Sequence, residues 1–223
     1  MQLPDSYLFI TARTVAEERI KGSRFIAVAM PCASMDDVKP AVTALMSEYP
    51  DATHYCYAAV CGPASETRSS DAGEPSGTAG KPILDVLLGE GLTDSMCVVI
   101  RYFGGTLLGT GGLVRAYSGT AHDALSAAPR GEKVRCRTYS AAMDYSTYSG
   151  FERLMMQYAR GQPEREFADR VEARFHIEVG RCAEFEGKLS GKNWLQYIAD
   201  EGDSYFRDNE EVTGPPEGPV LHV

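Results

Sequence analysis

No stretch of about 18 apolar residues occurs in this 223-residue chain, so no transmembrane helix is expected. The opening Met1-Gln2-Leu3-Pro4-Asp5 lacks both the basic start and the apolar middle of a secretory signal, so no signal peptide is expected either. Six cysteines are present, Cys32, Cys56, Cys61, Cys97, Cys136 and Cys182, but none are spaced C-x-x-C. They fall in apolar, strand-like runs, which points to reduced, buried thiols and a cytoplasmic protein. An excess of positive charge is also missing. The chain holds 31 acidic against 22 basic residues, and acids outnumber bases both before and after residue 132. Neither half is a basic module, so any nucleic-acid contact must be a local patch of Lys and Arg. The acidic surface itself is accounted for by solubility.

What the chain does have is enough apolar content, 43%, for real cores in one large or two small domains. A strand is expected over Tyr7 to Arg13, and extended structure over Glu17 to Pro31, broken at Lys21-Gly22-Ser23. Met35, Val38, Val42, Leu45, Met46 and Tyr49 recur at helical spacing up to Pro50. His54 to Cys61 reads as a strand. The segment 62–80 is full of Gly, Ser and Pro and reads as a long functional loop. Thr78 is placed to cap a helix that carries Pro82 in its first turn. Met96 to Phe103 has too little polar alternation for a half-exposed strand and is expected to be central. Another helix follows, stopped near Pro129. Ala128 to Glu132 reads as a linker, giving domains at 1–130 and 133–201. The second has a β-α-β-β-α-β order, the ferredoxin-like pattern, with strands at Val134 to Met143, Arg165 to Asp169, Val171 to Val179 and Trp194 to Ala199. Its second helix is expected to end at Gly191. Residues 208–223 are expected to be a disordered tail.

Two glycine runs stand out. Asp71-Ala-Gly-Glu-Pro-Ser-Gly-Thr-Ala-Gly-Lys-Pro82 leads into one helix, and Arg101-Tyr-Phe-Gly-Gly-Thr-Leu-Leu-Gly-Thr-Gly-Gly-Leu-Val-Arg115 leads from a strand into another. Glycine inside regular structure costs stability, so such runs mark unusual dihedrals or a close approach. Backbone N–H groups at Gly104, Gly105, Gly109, Gly111 and Gly112, with Lys81, Arg101 and Arg115 beside them, make a candidate anion-binding surface at helix N-termini. Lys21, Arg24, His54, Arg68, Asp71, Glu74 and Thr78 are candidates to support it. A tight structural crossover explains the same glycines, and both readings stand. The spacing is not that of a dinucleotide fingerprint. The P-loop pattern fails too, with Pro75 where a glycine is needed and Pro82 where Ser or Thr is needed. Asp71 and Glu74 read as paired acids, or as turn residues that bind backbone N–H groups. His54 and Cys56 share a strand face, but two ligands do not make a metal site. Ser76 and Ser118 lack a nucleophile elbow, so a serine hydrolase is not supported. No catalytic residue, cofactor or metal is assigned.

Residues 73–82, the apolar positions at 83, 84, 87, 92, 98 and 99, and Arg101-Tyr-Phe-Gly-Gly-x-x-Leu-Gly109 closely resemble the signature of the Impact/YigZ family. Lys21-Gly-Ser-Arg-Phe-Ile26 and Ala52-Thr-His54 fit its N-terminal part. The resemblance spans about residues 5 to 200. In one departure, Ala72 stands where the family carries a second acid beside Asp71, which weakens a paired-carboxylate role. The resemblance implies an α+β protein of two domains. The first is similar to the second domain of a small-subunit ribosomal protein and to domain IV of elongation factor G. The second is ferredoxin-like, similar to domain V of that factor. Eukaryotic members regulate translation initiation through protein partners, so the resemblance implies a translation-linked factor; the Lys and Arg around the glycine runs make RNA, the ribosome or translation factors its expected partners, and no membrane partner is expected. Two alternatives remain: an enzyme or small-molecule site using the same cleft for a phosphorylated ligand, and a pure protein-interaction module.

Overall fold

The structure, a computed structural model, describes residues 3–189, 197–207 and 210–212. It divides into two compact units, one of residues 1–3 and 7–131, the other of residues 4–6 and 132–223. Each mixes helices and strands, so the chain is an α+β protein of two units.

In the first unit, strands β2 (Thr14–Ile20), β3 (Ser23–Pro31), β6 (Ser95–Tyr102), β4 (His54–Cys61) and β5 (Glu66–Ser70) form an antiparallel sheet in that order. β6 is the middle strand, and its first seven residues are all buried, including the apolar run 96–100. Helix α1 (Val38–Glu48) packs on one face through Val38, Val42 and Leu45, against Ile26, Val28, Ala59, Val98 and Ile100. Helices α2 (Gly80–Gly89) and α3 (Thr110–Ala127) cover the other face. There Ile83, Leu87, Tyr117, Ala121 and Leu125 meet Phe25, Ala27, Cys56, Ala58, Cys97 and Val99. Strand alternation sorts these sets, since successive side chains point to opposite faces. The short strand β1 (Ser6–Ile10) precedes the sheet, and Thr11 beyond it donates its N–H to Pro129 O.

The segment 62–80 is not one long loop. Glu66–Ser70 pairs with β4 as strand β5 after a turn at Gly62 to Ser65, which leaves only residues 71–79 irregular. Thr67 and Ser69 alternate along this edge strand, and the sequence was too polar to announce it.

In the second unit, β7 (Arg130–Met143), α4 (Tyr145–Tyr158), β8 (Ala159–Phe167), β9 (Val171–Glu178), α5 (Val179–Leu189) and β10 (Tyr197–Arg207) follow the β-α-β-β-α-β order. The sheet runs β10-β7-β9-β8, fourth-first-third-second, with every neighbour antiparallel. Phe151, Met155, Tyr158 and Phe185 from the helices pack on Tyr139, Val171, Phe175 and Ile177. β8 starts earlier than expected, straight after α4, and carries a register shift between Arg160 and Glu164 where Gly161 takes a φ of +72°. Glu210–Val212, in the stretch expected to be disordered, pairs with β10 as strand β11. Gly191, Trp194 and residues 213–223 lie outside the described residues.

Candidate functional site

One end of the first unit's sheet carries a polar cluster on the face covered by α2 and α3. Phe25, Arg101 and His54 lie side by side across β3, β6 and β4, because Arg101 is in register with both of the others. Cys56 is two residues from His54, hence on the same face. The irregular segment 71–79 closes over them.

Its two acids have separate tasks. Asp71 Oδ1 accepts the N–H groups of Ala79 and Gly80 at 2.9 and 2.8 Å, and Oδ2 accepts that of Gly77 at 2.8 Å. Burial alone would raise this carboxyl, but the three N–H donors together hold it below the usual carboxylate range. Asp71 is therefore what caps α2. The expected cap, Thr78, instead donates its hydroxyl to Pro75 O at 2.7 Å, and the N-cap position of α2 is Ala79, which has no capping side chain of its own. Glu74 turns inward. Its Oε1 accepts from Arg101 Nη1 at 2.5 Å and from Tyr117 Oη at 2.8 Å, with both charged side chains almost wholly buried. Arg101 Nη2 also reaches Ser23 Oγ at 3.3 Å, and its guanidinium lies 5.3 Å from the Phe25 ring and 5.4 Å from that of Phe103.

His54 is 18% exposed. Its Nδ1 lies 2.9 Å from Ala72 O, and its Nε2 lies 3.8 Å from Glu74 Oε1. Cys56 donates to Asp71 O at 2.9 Å, and burial pushes its thiol up to about 12, so it is no thiolate nucleophile at neutral pH. Burial also raises the Tyr117 phenol. Glu74 and Arg101 are thus spent on one another, and Asp71 on backbone N–H groups. Among the described residues no group of three or more His, Cys, Asp or Glu is placed to hold a metal ion.

The second glycine run lies next to this cluster. Gly104 N–H donates to Ser23 Oγ at 3.2 Å. A Cβ on Gly104 would sit 1.9 Å from the Gly22 carbonyl carbon, so at this position the glycine is there to let two backbones touch. Gly105 and Gly109 take φ of +82° and +69°, in open space. Gly111 and Gly112 form the first turn of α3, which has no side-chain cap at Gly109 and so leaves its leading N–H groups to the loop side. Along this edge Phe103 (46% exposed), Leu107 (83%) and Val114 are uncovered apolar side chains.

The proposed cations separate into groups. Arg115 is exposed beside Gly111, and Lys21 is exposed in the hairpin that meets Gly104; neither has an ion-pair partner among the described residues. Lys81 is exposed and pairs with Asp85 one turn along α2. Arg24 and Arg68 belong to the α1 face. Arg24 pairs with Glu17 at 2.8 Å, and Arg68 donates to Met35 O at 3.0 Å. Alternation from Phe25 and Ala58 places both of them away from the cluster. Ser23, Tyr117 and the apolar edge were not singled out from sequence. Helical periodicity marks Tyr117 as core, but only the fold shows its hydroxyl over Glu74.

Residues 21–125 match the Impact N-terminal domain family. IMPACT family member YigZ of Escherichia coli (strain K12) is 36% identical over 202 residues, 88% of this chain and 99% of that protein. IMPACT family member YvyE of Bacillus subtilis (strain 168) is 32% identical over 174 residues, 78% of this chain and 80% of that protein. A solved crystal structure, described only as that of a hypothetical protein, is 37% identical, with a TM-score of 0.61 over 87% of this chain and 97% of that one.

Proposed function

The chain belongs to the Impact family, and from that premise we propose that it is a translation-linked regulatory factor that works by binding RNA on the ribosome rather than by catalysis. The observation that carries the reading is the edge formed by Lys21, Phe103, the open glycines and Arg115. It offers two uncommitted cations for phosphates, an aromatic face for a base, and backbone N–H groups at the start of α3. In contrast, the titratable groups that an enzyme would need nearby are buried and mutually paired, which speaks against the phosphorylated-ligand enzyme. The likeness to domains IV and V of elongation factor G, proposed from the sequence, fits a ribosomal partner but rests on analogy.

The test is binding of a fluorescein-labelled single-stranded RNA, and of purified ribosomes, across a salt series. Affinity should fall as salt rises. Lys21→Ala and Arg115→Ala should each weaken binding and reduce the logarithmic salt slope by about one, with melting unchanged. Absence of binding, or variants that bind like the parent, would defeat the reading.

A second reading rests on Leu107 and Val114, whose exposure suits a protein partner better than a nucleic acid. Ribosome binding that ignores salt and is lost in Leu107→Ser would put that reading first.

A further inference from the structure

On the opposite, α1-covered face of the first unit's sheet, away from the glycine edge, two cysteines meet. Cys32 lies just past the end of β3, Cys61 is the last residue of β4, and their sulfurs are 3.6 Å apart although the residues are 29 apart in sequence. Cys61 Sγ also donates to the Cys32 carbonyl at 3.1 Å, and the Cys32 thiol lies 3.4 Å from Ser34 O. The contact is anchored from both sides by Asp94. Its carbonyl accepts the Cys32 N–H at 2.9 Å, and its Oδ1 accepts the N–H of Gly62, next to Cys61, at 2.7 Å. No other pair among the six cysteines has a sulfur-to-sulfur contact among the described hydrogen bonds, and all six are free thiols.

We propose that Cys32 and Cys61 are a peroxide-reactive thiol pair that closes to an intramolecular disulfide. Cys32 is the attacking sulfur. The Cys61 donor holds its thiol below the usual range, and it lies in a segment whose neighbours Pro31, Ala33 and Ser34 are exposed, so a local opening admits a small oxidant. The Cys32 thiolate attacks one peroxide oxygen and the O–O bond breaks. The other oxygen leaves as hydroxide and takes up the Cys32 proton, giving water and Cys32 sulfenic acid. Cys61 then gives up its proton and attacks the Cys32 sulfur. The S–O bond breaks, a second water leaves, and the S–S bond forms. Two thiols lose two electrons in total, and the peroxide is reduced to two waters. Cys56 and Cys97 are controls: burial pushes each up to about 12, and neither touches another sulfur.

The experiment is intact-mass and peptide mass spectrometry of the full chain before and after one equivalent of hydrogen peroxide, with iodoacetamide blocking the remaining thiols. The expected result is loss of about 2 Da and a cross-linked peptide joining Cys32 to Cys61, reversed by dithiothreitol. Four thiols should remain open to alkylation under denaturing conditions. Cys61→Ser should stop the reaction at Cys32 sulfenic acid, trapped by dimedone, and Cys32→Ser should abolish both products. The wild-type peptide map stands without either variant. Overturning results are a mass unchanged by peroxide, a disulfide joining any other pair, or dimedone labelling that falls on Cys61 rather than Cys32.

Discussion

At the scale of single residues, the buried Glu74–Arg101 pair decides how mutations in the family motif should be read. Removing one partner of a buried ion pair leaves the other desolvated and unpaired, which costs roughly 3–5 kcal/mol. Glu74→Ala and Arg101→Ala should therefore each lower the unfolding free energy by that order, read as a lower urea midpoint, whereas Arg115→Ala, exposed and unpaired, should leave the midpoint unchanged. If Arg101→Ala unfolds like the parent, the pair does not hold this end of the sheet. Asp71 gives a pH-dependent case. Its folded carboxyl is held below the unfolded value near 3.8 by three backbone donors, so its contribution is present above that value and is lost as pH falls through the folded value. Asp71→Ala should cost about 1–2 kcal/mol at pH 7, as a lost helix cap does. The gap between variant and parent should narrow on acidification below about pH 4, followed by urea unfolding at each pH. The sequence exposed these residue types but not their partners. That Asp71 binds backbone N–H groups was readable as turn chemistry. That two of its three targets lie at the start of α2 depends on Gly80 packing against the Ser70 backbone, a contact between two elements.

At the scale of elements, strand alternation and helical spacing carried most of the outline. β3, β4, β6 and α1 to α4 follow from them within a few residues, and so does the sharing of one face by His54, Cys56 and Arg101. β5 stayed hidden, because Glu66-Thr-Arg-Ser-Ser70 is an exposed edge strand without an apolar face to give it a period. The division of the cations between the two sheet faces was legible in principle, since Arg24 is one residue out of phase with Phe25. It needed the registers of three strands to become a statement about the site. The glycine runs contain positions with opposite tolerances. Gly104→Ala should cost about 3 kcal/mol or more, because its Cβ would overlap the Gly22 backbone and not a movable side chain. Gly119, inside α3 with nothing within 4 Å of an added Cβ, is the converse: Gly119→Ala should stabilise by about 0.5–1 kcal/mol. Thermal unfolding of the two variants side by side checks both. Equal effects would mean that the close approach of the two loops is not what fixes Gly104.

At the scale of the whole molecule, each unit has its own sheet and its own apolar core. Residues 7–131 expressed alone should fold cooperatively, as judged by circular dichroism and a dispersed amide spectrum; a collapsed, undispersed product would show that this unit depends on the rest of the chain. The charge balance, read from composition, excluded a basic module but could not show that the two uncommitted cations, Lys21 and Arg115, flank one loop. The assignment of residues 4–6 to the second unit has a consequence in time. Asp5 O accepts the N–H of Arg135 at 2.7 Å, its carboxylate pairs with the Arg135 guanidinium, and Pro4 O accepts the Tyr205 hydroxyl. Arg135 leaves a ribosome 130 residues after Asp5. At ordinary rates of synthesis that is a wait on the order of ten seconds, with Tyr205 later still. The first unit can be complete before residues 4–6 find their partners, so this short segment folds with the unit made after it and not with the residues that follow it in sequence.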